Sequence, residues 1–322
     1  LGAIAKIDDL HLRDGLHDDP ALAHVHHKPL PYPTPRHGRA VVPKTRGDET
    51  NIADVLARIR EEDPTFEAHF DAETHELVVH GLGQMHLSLV IERIKNQGVD
   101  VETKPPKIAY HETIQIKAEG HHRHKKQSGG AGQFGEVYLR IEPLERGGGF
   151  EFVDKIVGGV IPKGFMPAIE KGIRDIMRQG IAAGYPVEDL RVTVYDGKTH
   201  SVDSKEIAFK MAGKLAFKNA FQKARPTILE PVVNVEVTTP GSSLGAITGD
   251  LSSRRGKVFG TDTLGSGTTV VKASVPLAEV IEYEPALKSM TKGRGSFTME
   301  LSHYEPVPDR VAKELVDKFN AR

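Results

Sequence analysis

Two stretches far apart in this chain repeat one order of periodicities, and that repetition restricts the fold more than any other feature. From Gly38 to Thr103, a strand at Arg39 to Pro43 leads through KTRGD into a helix opening near Asp48. Its apolar positions Ile52, Val55, Leu56 and Ile59 fall at i, i+3, i+4 and i+7, which is one helical face. Asp63-Pro64 ends it, because a proline disfavours helical backbone in the residue before it. Strands at Phe66 to Phe70 and Leu77 to His80 follow. A second helix is striped by Leu87, Val90, Ile91 and Ile94 and stopped by Gly98, and a strand covers Val99 to Thr103. The order β-α-β-β-α-β is the split βαβ, or ferredoxin-like, plan. It returns as a strand at Val232 to Thr238, a helix between Ser242 and Arg254, strands at Gly256 to Asp262 and Thr268 to Val275, a helix at Ala278 to Lys288 and a strand at Ser296 to His303. A final amphipathic helix carries Val311, Leu315, Val316 and Phe319.

The middle, about Ile108 to Pro226, follows another plan. Strands near Thr113 to Ala118 and Val137 to Ile141 bracket a glycine loop, and a further strand covers Phe150 to Val157. A helix at Met166 to Arg178, a strand at Arg191 to Tyr195 and the turn DGKTH lead to a long helix at Ser204 to Lys223. Asp203-Ser204 reads as its N-cap and Glu206 as a first-turn anion, with Ile207, Met211, Leu215 and Phe221 on the buried side. Ahead of everything lie a short strand, Ala3 to Ile7, and a His- and Pro-rich connector. Its PLPYPTP run forbids helix and sheet interior alike.

Composition narrows the function classes. At 322 residues the chain suits two or three domains, and 38 % hydrophobic with 27 % charged residues describes a soluble globular protein. It has no cysteine, which excludes disulfides and cysteine metal sites and favours a cytoplasmic origin. Its apolar runs are far shorter than the roughly 20 residues of a membrane span. LGAIAKIDDL lacks an initiator Met and a signal peptide and reads as the end of an upstream domain, so the chain is expected to be a fragment. No GxxxxGK[ST] or NKxD pattern occurs, so no nucleotide site and no catalytic residues are expected. His24, His26 and His27, and His121, His122 and His124, lack a carboxylate constellation, so no metal site is expected. The second cluster better suits pH-dependent affinity for RNA.

The stretch HHRHKKQSGGAGQFG, His121 to Gly135, points to a partner. Cations Arg123, Lys125 and Lys126 precede a loop with Gly129, Gly130, Gly132 and Gly135. Charge followed by a nearly side-chain-free loop suits close approach to a phosphate backbone. With a net charge of −1, attraction to nucleic acid has to come from such local patches.

Longer motifs carry a family resemblance. They are EEDPTF (Glu61 to Phe66), GLGQMHL (Gly81 to Leu87), KKQSGGAGQFGEV (Lys125 to Val137), GGVIPKGFMPAIEKGI (Gly158 to Ile173) and AGYPV (Ala183 to Val187). YDGKTHSVDSKEIAF (Tyr195 to Phe209), ILEP ending at Pro231, GDLSSRRG (Gly249 to Gly256) and KSMTKGRGSFTMEL (Lys288 to Leu301) complete the series. In this order they resemble the C-terminal part of the translation elongation factor G family over nearly the whole chain. The resemblance implies an α+β multidomain chain: two ferredoxin-like modules flanking a ribosomal-protein-S5-like α/β domain, with the remnant of a β-barrel domain at the N-terminus. It divides the chain into a barrel tail (1–20), a linker (21–37), domain III (38–105), domain IV (106–228), domain V (229–304) and a C-terminal helix (305–322).

By the same resemblance, domain IV reaches the decoding centre and its tip contacts transfer RNA and messenger RNA. Two loops map there, giving Ser128, Gly129, Gly130, Gly132, Gln133 and Phe134 in the first and Lys198, Thr199 and His200 in the second. Contacts to ribosomal RNA are expected from Lys125, Lys126, Arg254, Arg255, Lys257, Lys292 and Arg294, with Lys44, Arg46 and His86 as weaker candidates. The implied activity is promotion of translocation by a monomer working with both ribosomal subunits in the cytoplasm, with no membrane partner. GTP and Mg²⁺ would belong to an N-terminal domain outside this chain, and no cofactor is expected within it. Ala131 replaces a cation common in the family's loop, and GQMHLS stands for GELHLD, which suggests a divergent, paralogue-like member. Two alternatives are a ribosome-protection or ribosome-recycling paralogue and a stand-alone RNA-binding module.

Overall fold

The computed structural model describes residues 37–126 and 132–321, and before them positions 14, 19, 21, 28, 30, 32, 33 and 35. The strand read at Ala3 to Ile7, the first histidine cluster, most of the Pro-rich connector and Ser128, Gly129 and Gly130 lie outside the described residues. The described chain forms two compact units, one of residues up to Ile108 with Asn234–Glu300, the other of Ala109–Val233 with residues from Leu301 on.

The first ferredoxin-like module comprises β1 (His37–Pro43), α1 (Arg46–Glu62), β2 (Glu67–Asp71), β3 (Glu76–Gly81), α2 (Gln84–Asn96) and β4 (Val101–Lys104). Its sheet order is β2-β3-β1-β4, so the first strand lies between the third and the fourth. The two apolar stripes meet in one core: Ile52, Val55, Leu56 and Ile59 pack with Leu87, Val90 and Ile94 over Val41 and Val79. Each such buried aliphatic side chain contributes about 1.5–3 kcal/mol. Asp48 fixes the start of α1 twice. It forms a capping box with Thr45, and its Oδ1 accepts the Asp100 amide just before β4 at 3.0 Å. Gly38 leaves room for the His80 ring, since a Cβ there would lie 2.9 Å from His80 Nε2. His80 stacks on His69 with ring centroids 5.3 Å apart, and burial, with the charges of His69 and His37 adding to it, pushes its pKa down to about 4.

The middle unit holds β5 (His111–Ile114), β6 (Ala118–Lys126), β7 (Gln133–Pro143), β8 (Phe150–Asp154), α3 (Met166–Gln179), β9 (Leu190–Lys198) and α4 (Glu206–Lys223). A four-stranded sheet runs β6-β7-β9-β8, with β8 and β9 parallel and joined through α3. Helices α3 and α4 cover one face, burying Ile169, Ile173, Phe209, Phe217 and Phe221 against Val137, Leu139, Ile141, Val192 and Val194.

Three sequence expectations change here. The strand read at Thr113 to Ala118 is two strands, and the polar run HHRHKK is itself β6, paired with β7 from Ala118↔Ile141 to Lys126↔Gln133. An edge strand with polar side chains on both faces has no apolar alternation to betray it. The buried stripe of α4 is Ala208, Phe209, Ala212, Ala216, Phe217, Ala220 and Phe221, while Ile207 is exposed and Met211 and Leu215 are half-buried. The helix follows its small residues because it lies directly on the strands: a Cβ at Gly120 would sit 2.1 Å from the Ala216 carbonyl oxygen. Ser204 is not the N-cap; Lys205 holds that place without a side-chain cap bond, and the Ser204 hydroxyl serves the neighbouring loop.

At the base of this unit Glu112, fully buried in β5, gathers the loop after α3. Its Oε2 accepts the amides of Ile181 and Ala182, both at 2.8 Å, and its Oε1 those of Ala183 at 2.7 Å and Tyr185 at 3.1 Å. Charge-assisted bonds of this kind are about twice as strong as neutral ones.

The second ferredoxin-like module is β10 (Pro226–Pro240), α5 (Leu244–Ser253), β11 (Lys257–Leu264), β12 (Thr268–Pro276), α6 (Leu277–Val280), α7 (Glu284–Thr291) and β13 (Ser296–Pro306). Its order β11-β12-β10-β13 repeats the first module's. The helix expected at Ala278 to Lys288 is broken into α6 and α7, with Pro285 in the first turn of the second. Proline lacks the amide that a continuous helix would need there. The closing helix α8 (Asp309–Asn320) sets Val311, Leu315 and Val316 against Ala183, Ile228 and Val307, as its stripe predicts. No helix among the described residues is long and apolar enough to cross a membrane.

Replacing Glu112 with Gln leaves donors in the 181–185 loop without an acceptor and is expected to lower stability by about 2–4 kcal/mol in urea unfolding. His80 gives a second expectation. Its folded-state pKa is depressed, so its contribution is complete above pH 6.5 and is lost as pH falls towards about 4. A fall of up to about 3 kcal/mol across that window should flatten in His80→Gln.

Candidate nucleic-acid interface

The β6–β7 hairpin ends beside the loop joining β9 to α4, and backbone bonds fasten the two. Phe134 donates its amide to the Asp203 carbonyl at 2.8 Å, and the Ser204 hydroxyl donates to the Phe134 carbonyl at 3.2 Å. The same hydroxyl accepts the His200 amide at 2.8 Å. His200 Nδ1 accepts the amides of Val202 at 3.3 Å and Asp203 at 3.2 Å. The Asp203 carboxylate lies 3.5 Å from the same nitrogen. The Phe134 and His200 rings lie 6.0 Å apart. Gly132 lies close under the Asp203 side chain, since a Cβ there would fall 2.5 Å from its carboxylate.

Of the sequence-read tip residues, the structure therefore brings Gly132, Phe134 and His200 together around Asp203 and Ser204. Gln133 lies on the flank, where its Oε1 is 3.0 Å from His124 Nε2 across the hairpin. Lys198 and Thr199 are exposed at the end of β9. Lys125 and Lys126 are exposed, and neither forms an ion pair among the described residues. Among the described residues the arrangement offers the exposed cations Lys125, Lys126 and Lys198 and the exposed His200 ring, which suits phosphate and sugar contacts.

Sequence reasoning missed Glu136, which is 1 % exposed and anchors the hairpin below its tip. His121 Nε2 lies 2.8 Å and the Tyr138 hydroxyl 3.3 Å from its Oε1, and Arg123 Nε donates to Oε2 at 3.0 Å. Burial alone would raise the Glu136 pKa, but the bonds from Arg123 and His121 outweigh it and hold the carboxyl below its ordinary value. The residue is one position past the glycine loop, and no local pattern marks it.

The cations expected at the other end of the chain differ in freedom. Arg254 donates from Nε to Asp250 at 2.8 Å and from Nη1 to the Glu279 carbonyl at 2.8 Å, and lies over the Tyr283 ring at 5.1 Å. Arg255, in left-handed backbone with φ 62°, donates to Glu279 at 2.9 Å. Both are fixed within their module. Lys292, with φ 51°, and Arg294 flank Gly293 after α7, and both are exposed without an ion pair among the described residues. Lys257 opens β11 and is exposed. His86 sits between the Leu82 amide at Nδ1, 3.0 Å, and Asp63 at Nε2, 2.8 Å. Both ring nitrogens are engaged in bracing the start of α2. No group of three or more His, Cys, Asp or Glu residues among the described residues is placed to hold a metal ion.

Compared with known proteins, residues 32–105 match the family model described as elongation factor G, domain III, residues 106–225 that of domain IV, and residues 227–315 that of the elongation factor G C-terminus. An elongation factor G-like protein of Thermotoga maritima is 49 % identical over 291 residues, covering 90 % of this chain and 43 % of that protein. Elongation factor G of Aquifex pyrophilus is 48 % identical over 289 residues, covering 89 % of this chain and 41 % of that one. A crystal structure of a Thermus thermophilus protein matches with a TM-score of 0.80 and 40 % identity over 95 % of this chain and 46 % of its own. The chain thus spans about two-fifths of the length of the Thermotoga and Aquifex relatives.

Gly132→Ala is expected to push the Asp203 loop away and break the Phe134 amide bond. Hydrogen exchange at the Phe134 amide should then quicken roughly tenfold while core amides stay unchanged.

Proposed function

Because this chain belongs to the elongation factor G family, we propose that it is the ribosome-engaging part of a GTP-driven factor that advances transfer RNA and messenger RNA on the ribosome. The observation that carries this reading is the fastening of the start of β7 to the loop joining β9 to α4 through Phe134, Asp203 and Ser204. A part that must hold a moving RNA duplex needs a tip that does not yield independently of the core, and α4 runs from this tip straight into that core. His200 and Gln133 meet the transfer RNA–messenger RNA duplex. Lys292, Arg294, Lys257 and the fixed pair Arg254 and Arg255 meet ribosomal RNA of the large subunit. GTP and Mg²⁺ bind a domain outside this chain, and the protein works as a monomer in the cytoplasm with both subunits.

The test follows pre-translocation ribosomes by toeprinting, with GTP and a full-length protein joining this chain to its GTP-binding domain. The messenger should advance by one codon. Losing one contact of about 1.4 kcal/mol, His200→Ala should slow the advance roughly tenfold with ribosome binding retained. An unchanged rate would remove His200 from the mechanism. The departures at Ala131 and GQMHLS favour a second reading, a ribosome-protection or ribosome-recycling paralogue. Binding and GTP hydrolysis without an advance would select it.

A further inference from the structure

The face of the β6-β7-β9-β8 sheet turned away from α3 and α4 holds a charged row just below the tip. The register places Arg123 opposite Glu136 and Glu136 opposite Lys198, so all three point to that face. Lys125, two residues from Arg123 on the same strand, joins them. Glu136 lies beneath this row, almost without exposure, and Arg123 is half exposed above it. Arg123 makes its hydrogen bond through Nε, and its Nη1 and Nη2 make none among the described residues. His121 closes the flank, stacked on Tyr138 with centroids 4.1 Å apart. Farther from the tip the same face is neutralised pairwise, by Arg140 with Glu119 and Arg191 with Glu151. Among the described residues of this row, the donors left unpaired, on Arg123, Lys125 and Lys198, lie at the end nearest the tip.

We propose that Arg123, oriented by Glu136, binds a phosphate of an RNA backbone that continues from the tip onto this face of the sheet. The proposal rests on the ribosome-engaging reading and adds a site to it. A guanidinium held through Nε turns its two terminal amino groups outward as a fork, which matches the spacing of two phosphate oxygens. The buried carboxylate holds the side chain before RNA arrives, so less rotamer entropy is lost on binding. Lys125 and Lys198 add charge on either side without directional demand. Glu136 is thus a positioning residue and Arg123 the contact.

The test separates orientation from charge. The affinity of this chain for purified ribosomes would be measured by co-sedimentation across a salt series, with Arg123→Lys and Glu136→Gln beside the unaltered chain. Charge attraction alone predicts no change for Arg123→Lys and tighter binding for Glu136→Gln, which removes a negative charge. A held guanidinium predicts weakening in both, by roughly three- to tenfold. Variants that melt like the unaltered chain yet bind as tightly or more tightly would overturn the site. If Glu136→Gln does not fold, Arg123→Lys decides alone, since its side chain is exposed. Failure of the unaltered chain to sediment would overturn the functional reading together with the site. Sedimentation unaffected by either variant would overturn the site only.

Discussion

Direct contact between a helix and a sheet, with no side chain as spacer, is what the tip-bearing unit depends on. Helix α4 presents Ala208, Ala212, Ala216 and Ala220, and the strands beneath present Gly120 and Gly135. A Cβ at Gly120 would meet the Ala216 carbonyl at 2.1 Å, and one at Gly135 would meet Ala208 backbone at 3.1 Å. Helix α3 presses equally close on α4, since a Cβ at Gly172 would lie 2.1 Å from the Lys210 carbonyl oxygen. So close an approach leaves α4 few positions along the strands, because sliding brings a larger residue onto backbone. Its first turn is thereby set beside the hairpin end, where Ser204 reaches Phe134.

The proximity also settles the edge of the sheet. Strand β6 has no partner strand on its outer side among the described residues, and open edges invite unwanted pairing. Two α4 side chains take up its carbonyls instead, Asn219 at His121 and Lys223 at Glu119, at 2.9 and 3.4 Å. The polar run HHRHKK then lies as a strand without an apolar face of its own. Its histidines and cations are free to be organised from the other side by Glu136.

Two buried carboxylates divide the remaining work. Glu112 is satisfied by four backbone amides and shapes the base of the unit, where α8 packs on Ala183. Glu136 is satisfied by side chains and shapes the surface near the tip. Backbone donors cannot turn to an outside partner, whereas an Arg held at one nitrogen still offers the others. The same contrast separates Arg254, engaged on several sides, from Lys292 and Arg294 in the second ferredoxin-like module.

The sequence by itself determined the two β-α-β-β-α-β modules, because stripes such as Ile52, Val55, Leu56 and Ile59 are a local property that survives in any context. It also determined the family, since those motifs are contiguous runs. It failed wherever the deciding partner is distant. The α4 stripe departs from its sequence pattern because the glycines opposite it, some 70 to 100 residues away, let Ala208 and Ala216 come into backbone contact and so set which face of the helix is buried. Glu112 finds its donors about 70 residues later, Ser204 its acceptor 70 residues earlier, and Glu136 its cations on the neighbouring strand. Such bonds form only once the sheet has placed the strands side by side, so the tertiary structure alone decided which polar residues shape the tip.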